Sequence, residues 1–339
     1  MKPQRVAIVG ATGAVGQEFL AVLAARRLPL AELRLLASPR SAGRELPFAG
    51  AQLPVQALGP SSFAGIDVAL FSAGAAVSRQ FAPHAVAAGA VVVDNSSAFR
   101  LDPAVPLVVP EVNASALAGH RGIVANPNCS TILLALALWP LHRAAGLRAV
   151  VVSTYQAASG AGQQAMLELR HGLAAMLAGD APPAPRALPQ PLAGNVFPQV
   201  DVFQPDGYTR EEDKLLHELR KILDLPTLAV DATCVRVPVE RCHSEAVAAG
   251  FERPLTVAAA RELLASAPGV ELVDDPAALR YPMPLAMAGR DPVAVGRLRL
   301  GRVFSPGLTF WLAGDQLRKG AALNAVQIAE LLAQRRGAC

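Results

Sequence analysis

The chain has 339 residues, enough for two domains, and its 52% hydrophobic content supplies two cores that, with 5% aromatics, must be built from Ala, Val and Leu. The net charge of +4 comes mostly from scattered Arg without a basic run or aromatic interleaving, which argues against nucleic-acid binding, and no apolar stretch approaches the roughly 20 residues of a membrane span. Cys129, Cys234, Cys242 and Cys339 have neither zinc spacing nor the density of a disulfide framework, and the N-terminus leads straight into a strand, so a cytoplasmic protein without a metal site is expected.

Residues 5–9, Arg-Val-Ala-Ile-Val, read as a buried strand, followed by Gly10-Ala-Thr-Gly13-Ala-Val-Gly16 and an Ala/Leu-rich helix to about residue 27. This is the strand, glycine turn and helix of a dinucleotide site, in which the backbone approaches a pyrophosphate at the helix N-terminus. The next strand, 33–37, ends in Ser38-Pro39-Arg40-Ser41, where an NAD site would carry a carboxylate. Hydroxyls and a guanidinium there suit a 2′-phosphate and favour NADP; the other reading is an ordinary polar loop. A strand over 67–71, a helix over 77–88 and a strand over 90–94 continue the alternation and predict a doubly wound, mostly parallel sheet. Ser72 and the segment Asn95-Ser-Ser-Ala-Phe-Arg100 follow the C-terminal ends of these strands, the edge where such sheets bind ligands. Arg100 is then either an anion ligand or a solvated loop charge.

A short strand over 122–125 precedes Asn126-Pro127-Asn128-Cys129-Ser130-Thr131 and an apolar helix over 132–141. Cys129 thus falls at a helix N-terminus, where unpaired N–H groups and the helix dipole stabilise a thiolate. A small buried apolar residue is the alternative, and the flanking Asn, Ser and Thr make the neighbourhood too polar for it. A strand over 148–156 runs into Ala-Ala-Ser159-Gly160-Ala-Gly162, and the Pro-rich residues 182–198 predict a long surface connection over the site or a partner subunit. Thr209-Arg-Glu-Glu212 is a capping box. Glu211 and Lys214, one helical turn apart, form either a local ion pair or a charged pair facing a zwitterionic ligand. Over 230–239, Cys234 and Arg236 alternate with Val235 and Val237, so Arg236 is a fixed cation suited to a carboxylate. His243 reads as a structural hydrogen-bonding residue or, beside that Arg, as a general base. A helix over 257–265, strands near 269–273, 293–300 and 308–312, and a last helix over 318–334 that packs back on the first domain complete the chain.

Motifs spread in order across nearly the whole chain carry a resemblance: Gly-Ala-Thr-Gly-Ala-Val-Gly16, Asn-Ser-Ser-Ala-Phe-Arg100, Val-Pro-Glu-Val-Asn113, Asn-Pro-Asn-Cys129-Ser-Thr, Ser-Thr-Tyr-Gln156, Arg236-Val-Pro-Val with His243-Ser-Glu, Val-Gly-Arg-Leu-Arg299 and Leu-Arg-Lys-Gly-Ala-Ala-Leu-Asn324. The sequence resembles the aspartate-β-semialdehyde dehydrogenases. That resemblance implies an α/β protein with a Rossmann-type, doubly wound NADP-binding domain, residues 1–129 completed by a helix over 318–339, and an α+β catalytic and dimerisation domain, 130–317, in a homodimer. Cys129 would be the acyl-accepting nucleophile and His243 the acid/base, with Gln156 beside them at the catalytic centre. Gln156, Arg236 and Glu211 would hold the amino-acid part, and Arg100, Asn128 and Lys214 the phosphate. Gly10, Thr12, Gly13, Ala14, Val15, Ser38, Arg40, Ser41, Ser72, Ser159, Gly160 and Gln316 would hold NADP. Three positions depart from the family pattern: Cys242 where Gly or Ala is frequent, Gly194 where an aromatic is usual, and Gln316 where Asn commonly meets the cofactor.

The implied reaction converts L-aspartyl 4-phosphate and NADPH into L-aspartate 4-semialdehyde, NADP and phosphate, on the route to lysine through diaminopimelate and to threonine, methionine and isoleucine. One alternative is N-acetyl-γ-glutamyl-phosphate reductase, whose substrate has no free amino group; Glu211 and the context of Cys129 argue against it. The other is a catalytically silent paralogue kept for nucleotide binding or interaction, which should have lost Cys129, Gln156, Arg236 or His243.

Overall fold

The computed structural model describes residues 2–337. They form two compact units, one running to Asn128 and resuming at Ala321, the other Cys129–Gly320.

In the first unit, β1 (Gln4–Val9), β2 (Leu30–Ala37), β3 (Glu45–Phe48), β4 (Ala51–Ala57), β5 (Val68–Phe71), β6 (Val91–Asp94) and β7 (Ile123–Ala125) build a sheet in the order β3-β4-β2-β1-β5-β6-β7. Every pair is parallel except the β3–β4 hairpin. All residues of β5 and β6 are buried, as parallel strands covered on both faces require. Their alternate side chains feed two apolar layers. On one face Val6, Ile8, Leu70 and Val93 meet Phe19 and Leu23 of α1 (Ala14–Arg26) and Val326, Ile328 and Leu332 of the C-terminal helix (Leu323–Gly337). On the other, Ala7, Val9, Ala69 and Val92 meet Ala82 and Ala85 of α2 (Ala75–Ala87). The short α3 (Pro110–Asn113) packs on the C-terminal helix, which Arg26 clamps through a bidentate pair with Glu330, both bonds 2.6 Å. The chain leaves β1 toward β2 on one side while β5 flanks the other, so the sheet's topological switch lies at the C-terminal ends of β1 and β5.

The second unit opens with α4 (Cys129–Ala145), buried continuously from Ser130 to Leu138. Its sheet comprises β8 (Leu147–Gln156), β9 (Ala229–Arg236), β10 (His243–Phe251), β11 (Val270–Leu272), β12 (Val293–Leu300) and β13 (Gly307–Gly314), ordered β11-β12-β13-β10-β8-β9. The pairs β8–β9 and β11–β12 are parallel and the others antiparallel. Helix α4 packs on the sheet with α6 (Arg210–Leu223) and α7 (Val257–Ala265); α5 (Gln163–Ala178) follows the 157–162 turn, and α8 (Pro284–Met287) lies against β13. The 209–212 capping box closes as its sequence predicts, Thr209 N–H donating to Glu212 at 2.6 Å and Glu212 N–H to Thr209 Oγ1 at 3.4 Å. The Pro-rich connection lies against the end of β9, where Phe197 and Arg236 exchange both backbone hydrogen bonds.

Several elements depart from expectation. The strand predicted over 230–239 ends at Arg236, ahead of Pro238, which has no N–H for a ladder. Helix α5, the hairpin β3–β4 and strand β10 have no counterpart in the sequence reading. The last helix starts at Leu323, after a wider turn over Arg318–Ala322. Among the described residues no helix is long and apolar enough to cross a membrane, and no three His, Cys, Asp or Glu side chains form a group that could hold a metal.

Candidate active site

Strand register builds the centre of the second unit. Gln156 is opposite Arg236 across β8 and β9, and the pairing of Ser244 with Tyr155 and Glu245 with Thr154 brings His243 level with Gln156. Three polar side chains therefore stand in one row on the inner face of the sheet, and Gln156 Nε2 lies 3.4 Å from His243 Nε2.

His243 is fully buried and its Nδ1 accepts the Ala157 N–H at 3.0 Å, which places the proton of the neutral ring on Nε2. Burial first, and the neighbouring Arg236 charge second, lower its pKa to about 3, against a smaller opposing effect of Glu211. At neutral pH His243 is thus uncharged, with its proton on Nε2. Arg236 is 5% exposed; Nη1 donates to Ala157 O at 2.6 Å, and among the described residues Nε has no partner. Burial pulls its pKa down while Glu211 and Cys129 push it up, and a guanidinium stays charged through such a shift. Gly160 leaves room for both groups: a Cβ there would lie 3.0 Å from Arg236 Nη1 and from His243 Nε2.

Gln156 Nε2 donates to Glu211 Oε1 at 3.1 Å, and Glu211 Oε2 accepts from Lys214 at 2.9 Å. Lys214 also reaches Asp201 at 2.7 Å. Burial alone would lower the Lys214 pKa, but the two carboxylates outweigh it and raise it. The local ion pair foreseen for Glu211 and Lys214 is therefore present, and the same Glu211 also belongs to the Gln156 row.

Cys129 begins α4, at the helix N-terminus that the sequence predicts, and is half-buried. Cys234 and Cys242 are fully buried. Burial pushes the Cys234 thiol up, and, with help from Asp315, pushes Cys242 up to about 12. Cys242 stands at φ 77, a left-handed conformation that costs a non-glycine residue roughly 1–3 kcal/mol. Its N–H is held by Gln316 Oε1 at 2.9 Å, while Gln316 Nε2 bonds Ser159 Oγ. Gln316, expected as a cofactor ligand, thus also braces the turn that leads into His243. Asp315, absent from the sequence reading, fixes that brace: fully buried, it accepts from Gly289 N at 2.7 Å, Leu317 N at 3.0 Å and Arg241 Nε at 2.6 Å. Its only local signal is an acidic turn residue just after a strand.

The first unit carries the remaining candidates. Gly10, at φ 89, ends β1; a Cβ there would strike the Ser72 carbonyl, and one at Gly16 would strike the carbonyls of Gly10 and Ala11. Gly13 caps α1 without a side-chain bond, so the first-turn N–H groups around Ala14 and Val15 are left for a ligand beside Thr12. Ser38, Arg40 and Ser41 sit on a short turn after β2, and among the described residues nothing pairs with the exposed Arg40 side chain. Arg100 is buried, donating from Nε to Asn126 O at 2.9 Å and from Nη2 to Asn95 O at 2.7 Å, which removes the solvated-loop reading. Asn324 of the C-terminal helix holds Asn126 Oδ1 at 2.7 Å, and the buried Asn128 follows two residues on.

Residues 5–120 match the semialdehyde dehydrogenase NAD binding domain and residues 138–319 the semialdehyde dehydrogenase dimerisation domain. An aspartate-semialdehyde dehydrogenase of Synechocystis is 54% identical over 333 residues, covering 98% of each chain. The chain belongs to the aspartate-semialdehyde dehydrogenase family. It is an enzyme, an oxidoreductase, with the family's two-domain α/β fold. The solved aspartate-semialdehyde dehydrogenase II of Vibrio cholerae, complexed with ASA, superimposes with a TM-score of 0.95 at 43% identity, covering 98% of this chain and 99% of that one. The aspartate-semialdehyde dehydrogenase of Candida albicans, solved with NADP, has a TM-score of 0.76 at 26% identity, covering 98% of both.

Proposed function

We propose that the chain catalyses the reversible NADP-dependent reductive dephosphorylation of L-aspartyl 4-phosphate to L-aspartate 4-semialdehyde through a thioester on Cys129. The observation that carries this reading is a buried cation and a buried anion flanking one strand end: Arg236, whose Nε has no partner among the described residues, and Glu211, bonded to Gln156. Arg236 suits an α-carboxylate and Glu211 an α-ammonium, the two charges of a free amino acid. An N-acetylated substrate would offer Glu211 no cation, which disfavours the N-acetyl-γ-glutamyl-phosphate alternative. Cys129, Gln156, Arg236 and His243 are all present, which disfavours the silent paralogue.

In this reading the Cys129 thiolate attacks the acyl carbon, and the carbonyl oxygen gains charge. His243 Nε2–H donates to that oxygen, and the tetrahedral adduct collapses to the thioester as phosphate leaves. Arg100, Asn128 and Lys214 are the proposed phosphate ligands. The glycine turn fits a dinucleotide: Gly10, Thr12, Gly13, Ala14 and Val15 would hold the pyrophosphate, Ser38, Arg40 and Ser41 a 2′-phosphate, and Ser72, Ser159, Gly160 and Gln316 the remaining contacts. Bound NADPH supplies the hydride. A homodimer is proposed on the outer face of the six-stranded sheet, where Val151 and Tyr155 are exposed and the Tyr155 and Trp311 rings lie 5.1 Å apart. A free nucleophilic thiol suits the reducing cytoplasm, and the product feeds lysine, threonine, methionine and isoleucine synthesis.

Phosphate-dependent NADP reduction, measured with aspartate semialdehyde beside N-acetylglutamate semialdehyde, tests the proposal. Turnover with the first alone is expected. Preference for the second, or no turnover with either, would overturn it.

A further inference from the structure

Thr154 lies two residues before Gln156 on the same buried face of β8, level with Cys234 on β9 and Glu245 on β10. Among the described residues its hydroxyl is the one partner of Gln156 Oε1, at 3.1 Å. The ends of this row set the direction of its hydrogen bonds. Glu211, paired with Lys214, can only accept, so the Gln156 atom facing it is Nε2, and Oε1 turns to Thr154. Oε1 carries no hydrogen; Thr154 must donate.

The opposite amide orientation has an attraction of its own. Gln156 Nε2 and His243 Nε2 are 3.4 Å apart, and with Ala157 N–H on Nδ1 both atoms are donors. A half-turn of the amide would set Oε1 against His243 Nε2–H, where it would occupy the imidazole proton, and would turn the same oxygen toward the Glu211 carboxylate. We propose that Thr154 is a positioning residue for the reaction: with Glu211 holding Nε2, its hydroxyl holds Oε1 and locks the Gln156 amide so that Gln156 and His243 present two convergent donors to the substrate oxygen instead of pairing with each other. This rests on the proposed placement of Gln156 and His243 at the reacting centre.

The test compares Thr154→Val, of similar volume without a donor, with Thr154→Ser, which keeps it. Thr154→Ala removes the hydroxyl without a second methyl and covers the case in which valine overpacks. Valine and alanine should lower kcat about ten- to hundredfold with melting temperature nearly unchanged, and serine should stay within about threefold of the parent. In a Gln156→Met background, Thr154→Val should cost no more than about twofold, since the group it positions is gone. Serine failing together with valine, or the valine loss recurring in full beside Gln156→Met, would show a scaffold residue and overturn the proposal. If Gln156→Met cripples the enzyme while Thr154→Val and Thr154→Ala do not, this inference alone falls. A silent Gln156→Met would take the site reading down with it.

Discussion

His243 is buried beside the Arg236 guanidinium, and both circumstances favour its neutral form. With the folded pKa near 3, the ring is neutral at neutral pH and carries its one proton on Nε2. In the proposed mechanism its loss removes a donor to the developing oxyanion and should lower kcat by about 10² to 10⁴ at nearly constant KM. The pH profile separates this role from that of an ordinary base. Between pH 5.5 and 8.5 the parent should show no limb near 6.5 due to His243, so His243→Asn should lower the kcat curve without moving its inflections. A parental limb near 6.5 that vanishes in His243→Asn would show an imidazole titrating normally and acting as a base.

The inner face of the second sheet is organised by element. Two residues per step along β8, β9 and β10 give the row Arg236, Gln156 and His243, and about 7 Å deeper the row Cys234, Thr154 and Glu245. Glu245 in the deeper row is fully buried, neither carboxyl oxygen has a partner among the described residues, and burial raises its pKa well above the usual carboxylate value. The sign of its effect on stability follows. The native state keeps a proton that the unfolded chain releases above about pH 4.3, so the stability associated with the neutral acid is full below that pH and is lost as pH rises toward the folded pKa. Glu245→Gln, nearly isosteric and uncharged, should match the parent at pH 4 and grow relatively more stable by up to about 1.4 kcal/mol per pH unit above it. Urea midpoints at pH 4, 6 and 8 read this directly; a constant offset would mean that Glu245 is ionised in the native state.

At the scale of the whole molecule, the chain passes between its two units at Asn128–Cys129 and at Gly320–Ala321, so the candidate nucleophile opens the second unit. The C-terminal helix belongs to the first, joined to α1 by the Arg26–Glu330 pair and to the Asn126 turn by Asn324. Cofactor choice is proposed to reside wholly in the first unit, on the turn after β2. Arg40→Ala should cost about 1.5 to 3 kcal/mol of NADPH binding, roughly ten- to hundredfold, by removing a charge-assisted bond to the 2′-phosphate. NADH binding should hardly change, having no phosphate there. Titrating both nucleotides against parent and variant checks it, and parallel losses would assign Arg40 to the fold.

Local physics made much of this protein legible in its sequence. The apolar strand before the glycine turn, the position of Cys129 ahead of an apolar helix, the Thr209–Glu212 capping box and the face shared by Cys234 and Arg236 each follow from periodicity or capping over a few residues. Helix α5 was not legible, because its apolar pattern is weak and Gly172 interrupts it. Strand β10 was hidden by its polar opening, His-Ser-Glu, whose burial depends on β8 and β13 on either side. With β10 went the facts that only tertiary structure decides: that His243 stands level with Gln156, that Ala157 N–H sets its tautomer, and that Arg236 helps hold it neutral. Register and burial join residues dozens of positions apart, and protonation follows from both, whereas sequence periodicity reports only on neighbours.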